Sequence, residues 1–152
     1  MSAPDAQGQI DVSAPADRVY GLVSDLPGMA RLAEEFSGGR WLGPDTAARV
    51  GARFRGANRR GVRFWTTVAT VTAAGPDRFA FRVKSLGLPV SDWSYEITPT
   101  ETGCRVVEST WDRRPAWFRP LTVLATGVAD RKARNQTNIA TTLARLKAAA
   151  EG

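Results

Sequence analysis

Glu108 is the polar residue whose position most invites chemistry. In the run Gly103–Asp112, Cys104, Val106, Glu108 and Thr110 recur at every second residue, so in a strand they share one face. A carboxyl group in phase with Cys104 and Val106 points inward. There it needs a hydrogen-bonding partner or takes up a proton. Such a group anchors a ligand oxygen or serves as a general acid or base. Tyr95 and Trp93 share a face of the preceding run and offer a phenol and an indole donor. Arg131 and Asn135, four residues apart near the C-terminus, present a cation and an amide on one side of a helix, from which either is expected to reach Glu108. Glu34 and Glu35 read as a solvated face, and Tyr20 lies near the same region.

Other chemistries are excluded by what the 152 residues lack. The absence of histidine removes Ser-His and Cys-His nucleophile pairs and the commonest metal ligand. One cysteine, Cys104, allows no internal disulfide and no multi-cysteine zinc site, and reads as an inert small hydrophobe. No pair of carboxylates at glycosidase spacing and no glycine-rich phosphate loop is present. We therefore expect no metal and no organic cofactor.

The basic stretch "RFRGANRRGVRFW" (residues 53–65) holds five arginines and invites a nucleic-acid reading. Its alternation argues otherwise. Ala52 and Phe54 share one face and Arg53 and Arg55 the other, and Arg63 alternates with Val62 and Phe64, as in a sheet with one wet side. The net charge of +6 comes from 18 Arg and 3 Lys in an alanine-rich chain, which suits a GC-rich genome as well as a polyanion partner. No nucleic-acid partner is expected.

The elements that must position these residues follow from the hydrophobic period. "QIDV" alternates as a strand, and the helix after it opens near Pro15 with Val19, Leu22 and Val23 on its apolar face. "DLPGMARLAEEF" reads as a second short helix restarted at Pro27. From Gly38 to Asp112 the period is two, with strand-like runs at Arg40–Leu42, Ala48–Asn58, Arg60–Thr72, Arg78–Ser85, Val90–Thr98 and Gly103–Asp112. Short Gly-, Pro- and Asp-rich connections make them an antiparallel meander. From Pro120 to Ala149 one long helix is expected, its face marked by Leu121, Leu124, Val128, Arg131, Asn135, Ile139 and Leu146, with Gly127 costing about 1 kcal/mol inside it. Residues 1–6 are small and polar and expected to be disordered. No apolar run reaches the roughly 20 residues of a membrane span, and the N-terminus lacks a signal-peptide pattern, so a single cytoplasmic domain over 1–152 without stable membrane insertion is expected.

This order, carried by "IDVSAPADRVYGLVSDLPGMARL", "VGARFRG" with Trp65, "WSYEITPTETGCRVVESTW" and the closing amphipathic helix, resembles the START / pollen-allergen-like (SRPBCC) superfamily. Within it, the chain is similar to the bacterial polyketide cyclase/dehydrase and lipid-transport-like branch. The resemblance implies an α+β helix-grip fold: a curved antiparallel sheet of six to seven strands wrapped round a long C-terminal helix, with two short helices after the first strand and a cavity between. It implies a hydrophobic small-molecule ligand. On that fold Phe54, Trp65, Phe81, Trp93, Tyr95, Glu108, Val128, Arg131 and Asn135 are the candidate ligand-binding residues, with Glu108 the catalytic candidate. Alternation alone leaves open whether Trp65, Thr67 and Ala69 or Phe64, Thr66 and Val68 face inward. Carrier, polyketide cyclase/aromatase and partner-binding module stand as alternatives, and the oligomeric state is open.

Overall fold

The computed structural model describes residues 2–152. Seven strands form one antiparallel sheet: β1 (Ala6–Val12), β2 (Phe36–Trp41), β3 (Arg53–Arg60), β4 (Arg63–Gly75), β5 (Arg78–Ser85), β6 (Leu88–Thr100) and β7 (Gly103–Asp112). Their order is β1-β7-β6-β5-β4-β3-β2. β2 to β7 is the meander that the short connections imply, and β1 closes it by pairing with β7 along its whole length. Register shifts at Phe36/Gly38, Val71/Ala73 and Val83/Lys84 add local twist and curl the sheet.

Three helices follow the expected α+β plan with two differences. α1 (Ala16–Ser24) buries Val19 and Val23, as its period requires. The second short helix shrinks to one 3-10 turn, Gly28–Arg31. Asp25 accepts from the backbone N–H groups of Gly28 and Met29, which tightens the chain after Pro27, and the backbone enters β2 only five residues later. The predicted helix over Pro120–Ala149 is two helices, α2 (Arg119–Thr126) and α3 (Arg131–Glu151). Gly127 adopts a left-handed conformation (φ 74°) and ends α2, while the Asp130 side chain accepts from Ala133 N–H and starts α3. Gly127 is thus a helix stop, and no penalty for an internal glycine arises.

α3 lies in the concave side of the sheet and buries Ile139, Leu143 and Leu146 against β1 and β7. Gly8 permits this approach, since a Cβ there would stand 2.8 Å from the Ile139 Cγ2. At one end of the sheet Arg18 donates to the Ala150 carbonyl at 2.7 Å and ties α1 to the last turn of α3. The opposite end carries the β3–β4 and β5–β6 hairpin tips, α2 and the start of α3. Residues 2–6 are not loose: Asp5 N–H donates to Thr110 O, Trp111 Nε1 donates to Ser2 O, and Ala6 is buried. Met1, part of the segment expected to be disordered, lies outside the described residues.

Candidate functional site

Between the concave face, α3, α2 and the 3-10 turn lies a pocket of about 250 Å³. Its wall is mainly apolar. Val23, Leu26 and Met29 come from the first helical segments, Phe54, Ala69 and Phe81 from the sheet, and Ile139 from α3. The ambiguity in β4 is resolved: Trp65, Thr67 and Ala69 line the pocket, and Phe64 is 68% exposed on the other side. Of the nine candidate residues, Phe54, Trp65, Phe81, Trp93, Tyr95, Glu108, Arg131 and Asn135 line this pocket. Val128 does not. It sits buried in the α2–α3 connection, because the helix expected to carry it stops at Gly127. Tyr20 packs edge-on against Phe79, outside the pocket.

Glu108 faces inward as its phase demands and is 2% exposed. Tyr95 is its direct cross-strand neighbour, and the Tyr95 hydroxyl donates to Glu108 Oε1 at 2.8 Å. Glu108 Oε2 is buried with no partner. Burial raises the Glu108 carboxyl from 4.5 to about 8, against a smaller lowering by the Tyr95 hydrogen bond. Burial and the neighbouring carboxyl push the Tyr95 phenol well above its ordinary value. At neutral pH the pair is therefore mainly neutral, with the carboxyl proton able to sit on Oε2.

The partner of Arg131 is not Glu108. Arg131 Nη1 donates to Glu35 Oε1 at 2.6 Å, and Asn138 Nδ2 donates to the same oxygen at 2.7 Å. Both side chains of the ion pair are largely buried, at 16% and 14% exposure. Glu35, expected on a solvated face, instead turns toward α3, because the 3-10 turn delivers the chain to β2 directly across from that helix. Glu34 stays half-exposed and pairs with Arg145 at 2.8 Å. Glu35 Oε2 is a second buried carboxyl oxygen without a partner, on a residue that also lines the pocket. Replacing Glu35 with alanine strands Arg131 and Asn138 together and should lower stability by about 2 kcal/mol, less than a fully buried pair because both groups keep some water. Urea unfolding of Glu35→Ala beside the wild type measures this, and Glu35→Gln should lose less.

Two further details correct or extend the expected set. Trp93 Nε1 already donates to Ser91 Oγ at 2.9 Å, so its indole contributes surface and not a free donor. Arg114, which the period-two reading passed over, is 9% exposed and donates to Asp112 Oδ2 at 2.7 Å and to Thr122 Oγ1 at 2.6 Å. It fastens α2 to the end of β7, and all three residues line the pocket. The adjacent pair of arginines after the last strand was its one signal in the sequence.

The arginine run divides between the two sides of the sheet. Arg53 and Arg55 are exposed on the convex face, and the Arg59 guanidinium stands 5.3 Å over the Phe64 ring. Arg60 and Arg63 do not join them. They lie on the concave phase beside the β3–β4 tip, where Arg63 Nη1 donates to Leu124 O and Arg60 Nη1 to Gly127 O at 3.5 Å. They cap the C-terminal carbonyls of α2, where cations are favoured. The sequence placed Val62 opposite Arg63 as an inward residue, but Val62 is 89% exposed, because it occupies the hairpin tip beyond the packed part of the sheet.

The same fold occurs in solved structures across 94–97% of this chain. Protein CV1439 of Chromobacterium violaceum superposes with a TM-score of 0.72 at 18% identity, covering 96% of each chain. The Polyketide_cyc-like protein Cgl2372 of Corynebacterium glutamicum is 26% identical with a TM-score of 0.61, over 97% of this chain and 91% of that one. The di-domain ARO/CYC StfQ from the steffimycin biosynthetic pathway gives a TM-score of 0.72 at 14% identity, and this chain spans about half of it, 49% against 95% of its own length. No curated protein matches the chain in sequence. A seven-stranded sheet gripping a C-terminal helix, with an apolar pocket between them, is thus joined by a family model that matches residues 3–151: the chain belongs to the polyketide cyclase/dehydrase and lipid transport family.

Proposed function

We propose that the protein binds a hydrophobic small molecule, a lipid or polyketide-like compound, in this pocket, with no metal or organic cofactor and no nucleic-acid partner. The observation that carries the reading is Glu108: a buried carboxyl with one oxygen unpartnered, in a wall otherwise made mostly of hydrocarbon and aromatic surface. Pockets of this kind fix a ligand by its apolar body and orient it by a few polar groups. A neutral carboxyl donates to a ligand carbonyl or hydroxyl without the desolvation cost of a buried charge. The capping contacts of Arg60 and Arg63 support a structural role for part of the basic run.

A second reading is a cyclase, and one observation favours it. A carboxyl raised to about 8 is a proton donor at neutral pH, held by a phenol, which is what general-acid assistance to a ring closure or dehydration requires. In that case Glu108 moves a proton to a ligand oxygen while Tyr95 holds the carboxyl in place.

Fluorescence titration separates the anchor from the pocket. A fluorescent fatty acid should bind Glu108→Leu roughly tenfold more weakly than wild type, the loss of one hydrogen bond to a buried group. A polyaromatic hydrocarbon probe should bind both about equally. Equal affinity of both proteins for the fatty acid removes Glu108 from the binding role.

A further inference from the structure

Six of the seven large hydrophobic side chains exposed in this structure sit at the end of the molecule that carries the β3–β4 and β5–β6 tips and α2. Val62 (89% exposed) is at the β3–β4 tip with Phe64 beside it, and Leu86 (90%) is at the β5–β6 tip. Trp117, Leu121 and Leu124 (74%) belong to α2 and the turn before it, with Leu121 and Leu124 on its outer side. Val50, the seventh, lies at the opposite end of β3. Single exposed hydrophobes are ordinary, but a cluster confined to one rim is not.

The two tips do not need these residues. The Ser85–Leu88 pair leaves a two-residue loop, Leu86–Gly87, with both φ angles positive (53° and 77°). That turn favours Asn or Asp followed by Gly. Leucine pays a steric penalty there and exposes nearly its whole side chain to water, so neither backbone nor packing accounts for it. In the β3–β4 tip, Gly61 supplies the positive φ (62°), and Val62 after it touches no core.

The charge around these tips is one-sided. Segments 59–64, 84–88 and 113–134 together hold ten Lys and Arg. Arg113, Arg114 and Arg131 are ion-paired with Asp92, Asp112 and Glu35. The other seven (Arg59, Arg60, Arg63, Lys84, Arg119, Lys132 and Arg134) face a single acid within these segments, Asp130, which caps α3. A second copy of this chain would bring the same positive rim, so like charges oppose self-association through this face. An anionic lipid surface offers both complements at once: phosphate for the cations and an acyl boundary for the apolar tips.

We propose that this rim docks the protein reversibly on anionic bilayers, with Val62, Leu86 and Leu124 dipping below the headgroups and the surrounding arginines at the phosphates. The orientation turns toward the membrane the end of the sheet where Ser85, Thr122 and Ala125 form pocket wall. No helix among the described residues is long and apolar enough to cross a membrane, in keeping with surface docking. The proposal concerns the rim alone and stands whether or not the pocket takes the ligand proposed above.

Co-sedimentation with vesicles tests it. The wild type should pellet with phosphatidylcholine–phosphatidylglycerol vesicles at low salt, weakly with phosphatidylcholine alone, and less in high salt. The double variant Leu86→Asn/Leu124→Ser should bind the mixed vesicles on the order of tenfold more weakly. Leu86→Asn alone should melt no lower than wild type, because asparagine suits the left-handed position, so its share of the lost binding cannot come from unfolding. The proposal is overturned by wild-type protein that stays in the supernatant with anionic vesicles, or by a double variant that pellets as well as wild type. It is equally overturned if the double variant abolishes a concentration-dependent dimer while the wild type ignores vesicles, which would make the rim a subunit contact.

Discussion

Between pH 4.5 and about 8 the wild-type protein should lose stability as the pH rises, and Glu108→Gln should not. The carboxyl of Glu108 titrates near its ordinary 4.5 when the chain is unfolded and near 8 when folded. In that window the folded state holds a proton that the unfolded state has released, so raising the pH favours unfolding. Below 4.5 both states are protonated and the buried carboxyl costs nothing extra. Above about 8 both are ionised, and the full penalty of a buried charge is present. The displacement corresponds to ~5 kcal/mol across the window. Glutamine keeps a carbonyl oxygen to accept from Tyr95 and never ionises, so the variant's profile should be flat here. The lowered carboxyls, Asp11, Asp112 and Glu151, titrate below their ordinary values and act in the acid range, outside the window. Urea unfolding at stepped pH gives both curves, and parallel slopes for wild type and variant would contradict the buried neutral carboxyl.

Phe54→Ala should cost about 3–5 kcal/mol, the range for removing a large aromatic from a close-packed site. Phe54 is 2% exposed, with the Trp41 ring 5.2 Å away edge-on and the Phe36 ring at 5.9 Å. It joins the edge strand β2 to the sheet and also forms pocket wall. Truncation leaves a void that β2 fills only in part, and it enlarges the pocket on that side. If the variant still folds at low temperature, a bulkier polyaromatic probe should bind it at least as well as it binds wild type. A loss under about 1 kcal/mol would mean that Phe54 does not hold β2 in place.

Much of this architecture was legible because a half-buried sheet writes its two faces into alternate residues. Cys104, Val106 and Glu108 declared an inward carboxyl, and the pairing of Tyr95 with Glu108 needed only the register of one hairpin. The alternation failed in β4, where both faces carry an aromatic and small residues and the shift at Val71/Ala73 breaks the phase. Glu35 was hidden for a different reason. It follows a 3-10 turn with no period to read, and its partners Arg131 and Asn138 lie about a hundred residues away. The helix stop at Gly127 was written in the sequence, with Asp130 as the next cap, but apolar spacing on both sides ran on in helical phase and masked it. Ser2–Ala6 looked like a polar tail, and only the Trp111 and Thr110 contacts reveal its place along β7.

The most direct test of the central claim, an apolar ligand held in the pocket beside Glu108, is native mass spectrometry of freshly purified protein followed by organic extraction. The account predicts a mass adduct that extracts into solvent as a lipid or aromatic compound, or, for emptied protein, one-to-one uptake of a fluorescent fatty acid or polyaromatic probe. A clean unliganded mass together with no uptake of either probe would contradict it.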